Sequence, residues 1–212
     1  MRRRFVFVFF SSFIIIFGIL NYRFVGANIR YFVAPGTIVT KDSLKDAVRL
    51  LPLAKDVFEK PLPDSAHLVI DSIGVNAPIV FGVPTNNDAI YQQLENGVVH
   101  YASTPKPGTR TQGLSIILGH SSAYPWYRGK YGSVFALLNK LKSGDRFYIQ
   151  YSDGRLFVYA VKEAIVFNPF NPDDPRLAEV EKSEKPTLVL VSCWPVGTNY
   201  RRIAVVAELV QN

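Results

Sequence analysis

The chain has 212 residues, 48% of them hydrophobic, which is room for one membrane segment and one folded domain with its own core. Of its formal net charge of +7, three positives are Arg2, Arg3 and Arg4; the remaining +4 forms no dense basic stripe. That argues against a nucleic-acid partner and leaves only a weak attraction to an anionic membrane or cell wall.

Taken in chain order, the basic stub runs into an apolar stretch, residues 5–20. A bilayer crossing needs roughly 20 apolar residues. The stretch reaches that length if Asn21, Tyr22 and a snorkelling Arg23 sit at the interface and residues 24–27 contribute. Residues 1–27 therefore read as an uncleaved N-terminal transmembrane anchor, with its basic end in the cytoplasm. A signal peptide cut after Val25-Gly26-Ala27 is the alternative. Either reading places the rest outside the cytoplasm. Residues 28–65 read as a spacer, with Leu44, Ala47, Val48 and Leu51 on one face of a short amphipathic helix that Pro52 stops.

From residue 66 to 212 the pattern is mostly β. Strands are predicted over 67–73, 77–81, 97–100, 114–118, 146–151, 156–166, 187–192 and 203–210, separated by turn signals such as Gly74-Val75-Asn76 and Asp153-Gly154. One helix is predicted where Val134, Leu137, Leu138 and Leu141 share a face. The loop 168–186 is the longest in the domain, and residues 177–184 have helical character. Eight strands in a domain of this size predict a closed or nearly closed β-barrel.

The single cysteine, Cys193, ends the run Thr187-Leu188-Val189-Leu190-Val191-Ser192. An exported protein cannot use one thiol for an internal disulfide, so it is either buried and inert or reactive. Arg201 and Arg202 open the returning strand, and strand alternation lets only one of them face the thiol. A cysteine nucleophile needs a histidine as base or acid. His67 sits at the domain entry, whereas His100 and His120 both end strand-like runs and both remain candidates.

Several ordered segments resemble the sortases, cysteine transpeptidases of bacterial surfaces. They are Gly97-Val98-Val99-His100-Tyr101 with Pro105-Lys106-Pro107-Gly108; Leu118-Gly119-His120-Ser121-Ser122; Lys140-Leu141-Lys142-Ser143-Gly144-Asp145; and the tail from Leu190-Val191-Ser192-Cys193-Trp194-Pro195 to Arg201-Arg202. The resemblance covers roughly residues 68–209. Where the family commonly has Thr-Leu-x-Thr-Cys, this chain has Val189 and Ser192 at the two threonine positions.

The resemblance implies an eight-stranded sortase-like barrel with one or two short helices. It implies Cys193 as nucleophile, His120 as acid and base, and Arg202 as the substrate- or oxyanion-holding cation, with Ser121, Ser192 and Trp194 at the substrate. It further implies as partners secreted proteins bearing a Leu-Pro-x-Thr-Gly-like signal together with an amine acceptor on the cell wall or a pilin-like subunit. No acidic cluster has the spacing of a calcium loop and no other cofactor signal appears, so no metal or cofactor is expected. The Pro195-Val196-Gly197-Thr198-Asn199 run is similar to classes C and D. A hydrolytic cysteine peptidase and a non-catalytic binding barrel are the competing readings.

Overall fold

The computed structural model describes residues 2–33, 61–109, 113–123, 127, 129–171 and 174–210. The predicted spacer helix around Leu44 lies outside the described residues.

Eight strands close into a barrel: β1 (Ala66–Ile70), β2 (Val75–Val80), β3 (Val98–His100), β4 (Gly113–Leu118), β5 (Arg146–Tyr151), β6 (Leu156–Phe167), β7 (Pro186–Trp194) and β8 (Arg201–Leu209), in the spatial order β1-β2-β3-β4-β7-β8-β6-β5. Every predicted strand is present, with ends shifted by a few residues. The alternation that predicted them also sets their two faces. Leu188, Leu190, Ile203, Val205 and Ile117 point into the barrel core, whereas Val189, Ala204, Val206 and Leu114 belong to a second apolar cluster on its outer surface.

Strand directions divide the barrel into two rims. One rim gathers the C-terminal ends of β1, β4, β6 and β7 and the N-terminal ends of β2, β3, β5 and β8. At the other rim the chain enters the domain. There Arg155 Nη2 donates to Pro61 O at 2.8 Å and also pairs with Asp153, while Lys106 Nζ donates to Leu62 O at 2.8 Å. The Arg155 side chain is buried, so these bonds replace lost hydration; the Lys106–Asp64 pair involves an exposed carboxylate and adds little.

The predicted helix at 134–141 does not form. Residues 130–137 are turns, followed by a 3-10 turn at Leu138–Lys140. Phe135, Ala136, Leu137 and Leu138 are consecutive and all buried, which an α-helix with one apolar face cannot achieve; the segment coils instead to plug the first rim. Among the described residues, two α-helices do decorate the barrel. The helix at 175–181 falls in the loop expected to be helical, and is capped by Asp174. The other, Asn87–Gln93, was not predicted and is capped by the Asn86 side chain accepting from Ala89 N at 2.8 Å.

The N-terminal segment forms two helices, α1 (Arg2–Leu20) and α2 (Tyr22–Val33), so the barrel-flanking pair become α3 (Asn87–Gln93) and α4 (Pro175–Glu181). No single described helix is long and apolar enough to cross a membrane, but the pair 6–20 and 24–33, bent by 85°, meets the length and composition together. The break comes at Asn21, whose side-chain amide donates to Phe17 O at 3.0 Å and so competes within the helical ladder.

Candidate active site

Cys193 lies opposite Arg202 in the antiparallel β7–β8 register. Directly opposed residues share a face, and Cys193 has the parity of Val189 while Arg202 has that of Ala204, so both point outward from the barrel. Arg201 opposes Trp194 and has the inward parity. Trp194 packs, half-buried, against the barrel core.

β4 runs parallel to β7, and its last register pair is Leu118 with Val191. Gly119 N extends that ladder by donating to Val191 O at 3.1 Å. His120 is two residues past Leu118, as Cys193 is two past Val191, so the imidazole, the thiol and the guanidinium occupy the ends of three adjacent strands at the same rim. A methyl group on Gly119 would come within 2.4 Å of the Phe135 ring, so the glycine lets the chain leave β4 close against the rim plug. Phe135 N in turn donates to His120 O at 2.9 Å.

Ser192, expected at the substrate, has another task. It is 3% exposed and its Oγ donates to Gly119 O at 2.7 Å, tying the cysteine strand to the backbone that carries His120. Its parity is that of Leu190, toward the interior. Replacing Ser192 by alanine leaves a buried carbonyl without its donor, and we expect a loss of about 1–2 kcal/mol of stability. Turnover should fall while modification of Cys193 by a thiol reagent persists; thermal denaturation and alkylation mass shifts check the two halves. Ser121 is also buried, at 2% exposure, and its hydroxyl has no hydrogen-bond partner among the described residues.

The His120 ring is held between two tyrosines. Its centroid is 5.4 Å from Tyr91 on α3 and 5.5 Å from Tyr127, both edge-to-face. Tyr127 OH donates to Leu94 O at 3.1 Å, which fastens the end of α3 to this loop. Nε2 of His120 is buried without a partner among the described residues. Burial pushes the His120 pKa down, and the Glu95 carboxylate pulls it partly back up. Tyr91 and Glu95 were not anticipated because α3 was not; Asn86 followed by Ile90 and Leu94 is the capping-and-periodicity signal that marks it.

The two other histidines are fixed elsewhere. His100 is 4% exposed, with Nε2 3.0 Å from Pro105 O and its ring packed on Phe81. His67 is exposed on β1, with Nδ1 3.0 Å from Asn76 Oδ1 across the strand pair. Burial pushes the His100 pKa down, the Pro105 carbonyl opposes this, and Lys106 lowers it further. His100 and His120 both take protons less readily folded than unfolded. Their contribution to stability is therefore intact above the ordinary histidine value of about 6.5 and is lost as pH falls below it. Melting temperatures should decline from pH 7.5 to pH 5, and His100→Gln should flatten that decline.

Arg202 Nη1 donates to Asn199 O and to Arg201 O, both at 3.1 Å, so the guanidinium sits at the mouth of the β7–β8 loop. In that loop Thr198 closes a turn on Pro195 O through both its amide and its hydroxyl, and Gly197 takes φ 85°. Above the outer face, Leu177 and Val180 of α4 pack on the cluster containing Val189 and Ile165. An acyl-transfer site needs a nucleophile, a proton carrier and a fixed positive donor facing one accessible surface. These three strand ends bring a thiol, an imidazole and a guanidinium to one rim of the barrel.

The Sortase domain family matches residues 68–210. Among solved structures, the chain is similar to sortase A from Corynebacterium diphtheriae, at 24% identity and TM-score 0.55, over 85% of this chain and 74% of that one. It is similar to sortase C-1 from Actinomyces oris, again at 24% and 0.55, over 89% and 97%. The third is sortase C-3 from Streptococcus pneumoniae, at 24% and 0.55, over 90% and 81%. No curated protein matches the sequence at a significant level. At these identities the structural likenesses speak for the barrel alone, and the match spanning nearly the whole barrel decides the rest: this chain belongs to the sortase family.

Proposed function

We propose that the protein is a membrane-anchored transpeptidase acting on a Leu-Pro-x-Thr-Gly-like signal, with Cys193, His120 and Arg202 as its catalytic residues. The observation that carries this is the cross-strand pairing of Cys193 with Arg202 beside the end of β4. The Cys193 sulfur attacks the threonyl carbonyl carbon. The C–S bond forms, the Thr–Gly C–N bond breaks, and His120 as imidazolium gives its proton to the departing glycine amine. An acceptor amine then attacks the thioester, neutral His120 takes the amine proton, and the cysteine sulfur leaves as the new amide forms.

Arg202 faces the carbonyl oxygen as it gains charge. A guanidinium has five donors, and the two loop carbonyls on Nη1 hold it in place for the others to meet substrate. Trp194, at the strand end next to the thiol, lines the approach, and Ser121 lies buried next to His120 in the chain, its hydroxyl without a partner among the described residues. Sequence supports the membrane location through Arg2–Arg4 and the apolar stretch behind them.

Intact-mass spectrometry tests the reading on the full chain mixed with a Leu-Pro-x-Thr-Gly peptide, with and without an added amine. An acyl adduct on Cys193 that becomes an amide product when amine is supplied is the expected result. An adduct that resolves to acid regardless of amine would make the protein a peptidase. Absence of any adduct from the folded protein would leave a binding barrel.

A further inference from the structure

α2 has two apolar faces where a helix docked on a water-soluble domain has one. Ala27 and Tyr31 pack against the barrel core, and Lys140 Nζ lies 5.9 Å from the Tyr31 ring and 5.7 Å from the Phe32 ring. On the opposite side, Tyr22, Ile29 and Val33 recur at i, i+7 and i+11 and form one stripe. They are 60%, 57% and 79% exposed, and Phe32 at the edge of the stripe is 72% exposed. That face should be polar if water covered it.

Its neighbour identifies what covers it. α1 exposes apolar side chains all round, among them Phe7, Phe10, Ile14 and Ile19. A protein partner buries one stripe of a helix, whereas hydrocarbon surrounds it, so an all-round apolar surface selects lipid. α2 continues from α1 after a bend of 85° and carries Tyr22 and Arg30, residue types that sit at headgroup level. A helix turned nearly at right angles to a membrane-inserted one lies along the surface.

The barrel is held by this helix at a defined end. Lys140 belongs to the 3-10 turn that plugs the rim between β4 and β5, and that rim carries Cys193, Arg202 and the end of β4. We propose that α2 lies in the lipid–water interface and seats the catalytic rim of the barrel against the membrane, which favours peptides attached to that same membrane over free ones. The inference rests on the membrane location proposed above.

The full chain in vesicles of phosphatidylglycerol and phosphatidylethanolamine tests it. In a Cys193→Ser background, a nitroxide on Ile29→Cys should collide with oxygen in lipid and be shielded from a water-soluble nickel chelate. Ready access by the chelate while the chain remains vesicle-bound would overturn the interfacial helix and leave the membrane location standing. A chain that does not bind vesicles would overturn both. In the native sequence, a fluorophore on Cys193 should transfer energy to headgroup acceptors. Combining Tyr31→Ala with Lys140→Ala should lose most of that transfer and most of the preference for vesicle-attached peptide, with free-peptide turnover unchanged. Undiminished transfer and preference in the double variant would overturn the seating of the barrel.

Discussion

Replacing Cys193 by alanine is expected to abolish both the acyl adduct and all amide product, with no loss of fold. The side chain is half-buried on the outer face, so truncation opens no core cavity, and the β7–β8 ladder is made by backbone. The same peptide assay with His120→Ala should show a slower rise of adduct, by about 10²–10⁴-fold, because the glycine amine must leave without a positioned proton donor. The two variants separate the readings. A binding barrel would keep its peptide affinity and show no chemistry to lose. If Cys193→Ala turned over at the native rate, the assignment of the nucleophile would fail.

The second large effect is expected at Arg202. Arg202→Ala removes the fixed cation opposite the thiol and should lower the acylation rate by about 10²–10³-fold, the cost of losing one preorganised oxyanion donor. Arg202→Lys keeps the charge but not the planar fork, and should recover only part of that loss. Arg201→Ala is the informative control. It lies on an exposed, inward-parity position opposite Trp194, and a substitution of this kind should stay within about 0.5 kcal/mol in stability and leave the rate near native. Equal losses from both arginines would mean that the register does not select between them. Single-turnover kinetics under saturating peptide reads these rates directly.

Much of this architecture is legible in the chain because its signals are local. Runs such as Leu188, Leu190, Val189 and Val191 announce a strand buried on both faces, and turn residues such as Asp153-Gly154 mark its neighbours. The same alternation contains the answer for Ser192: it shares the parity of Leu190, and a serine facing inward must find a buried partner, here the Gly119 carbonyl. Nonlocal packing hides the rest. Val134, Leu137, Leu138 and Leu141 have helical spacing, yet the rim also buries Phe135 and Ala136 between them and Phe135 N donates to His120 O. The aromatic setting of His120 draws on α3, far from it in sequence, so no spacing rule connects Tyr91 to the imidazole. Which histidine stands beside the cysteine follows from the parallel pairing of β4 with β7, a crossover that a one-dimensional pattern does not encode.

The ladder is uneven around the barrel, and this separates a stiff part from a soft one. β4, β7 and β8 are laced continuously, from Gly113 with Pro186 to Leu118 with Val191 and from Thr187 with Glu208 to Trp194 with Arg201, and β6 joins β8 along its length with a single register shift between Val161 and Glu163. β3 closes the ring through little: Ile79 with Val98 and Val80 with Val99 on one side, Val99 with Leu118 and His100 with Ile117 on the other. Local opening follows the fewest cross-strand bonds, so amide exchange should run fastest at this closure and slowest in the slab. Cys193, Arg202 and the strand leading to His120 all belong to the slab. The barrel can therefore breathe at β3, and admit insertions around it, without disturbing the spacing of the three groups on which the chemistry depends.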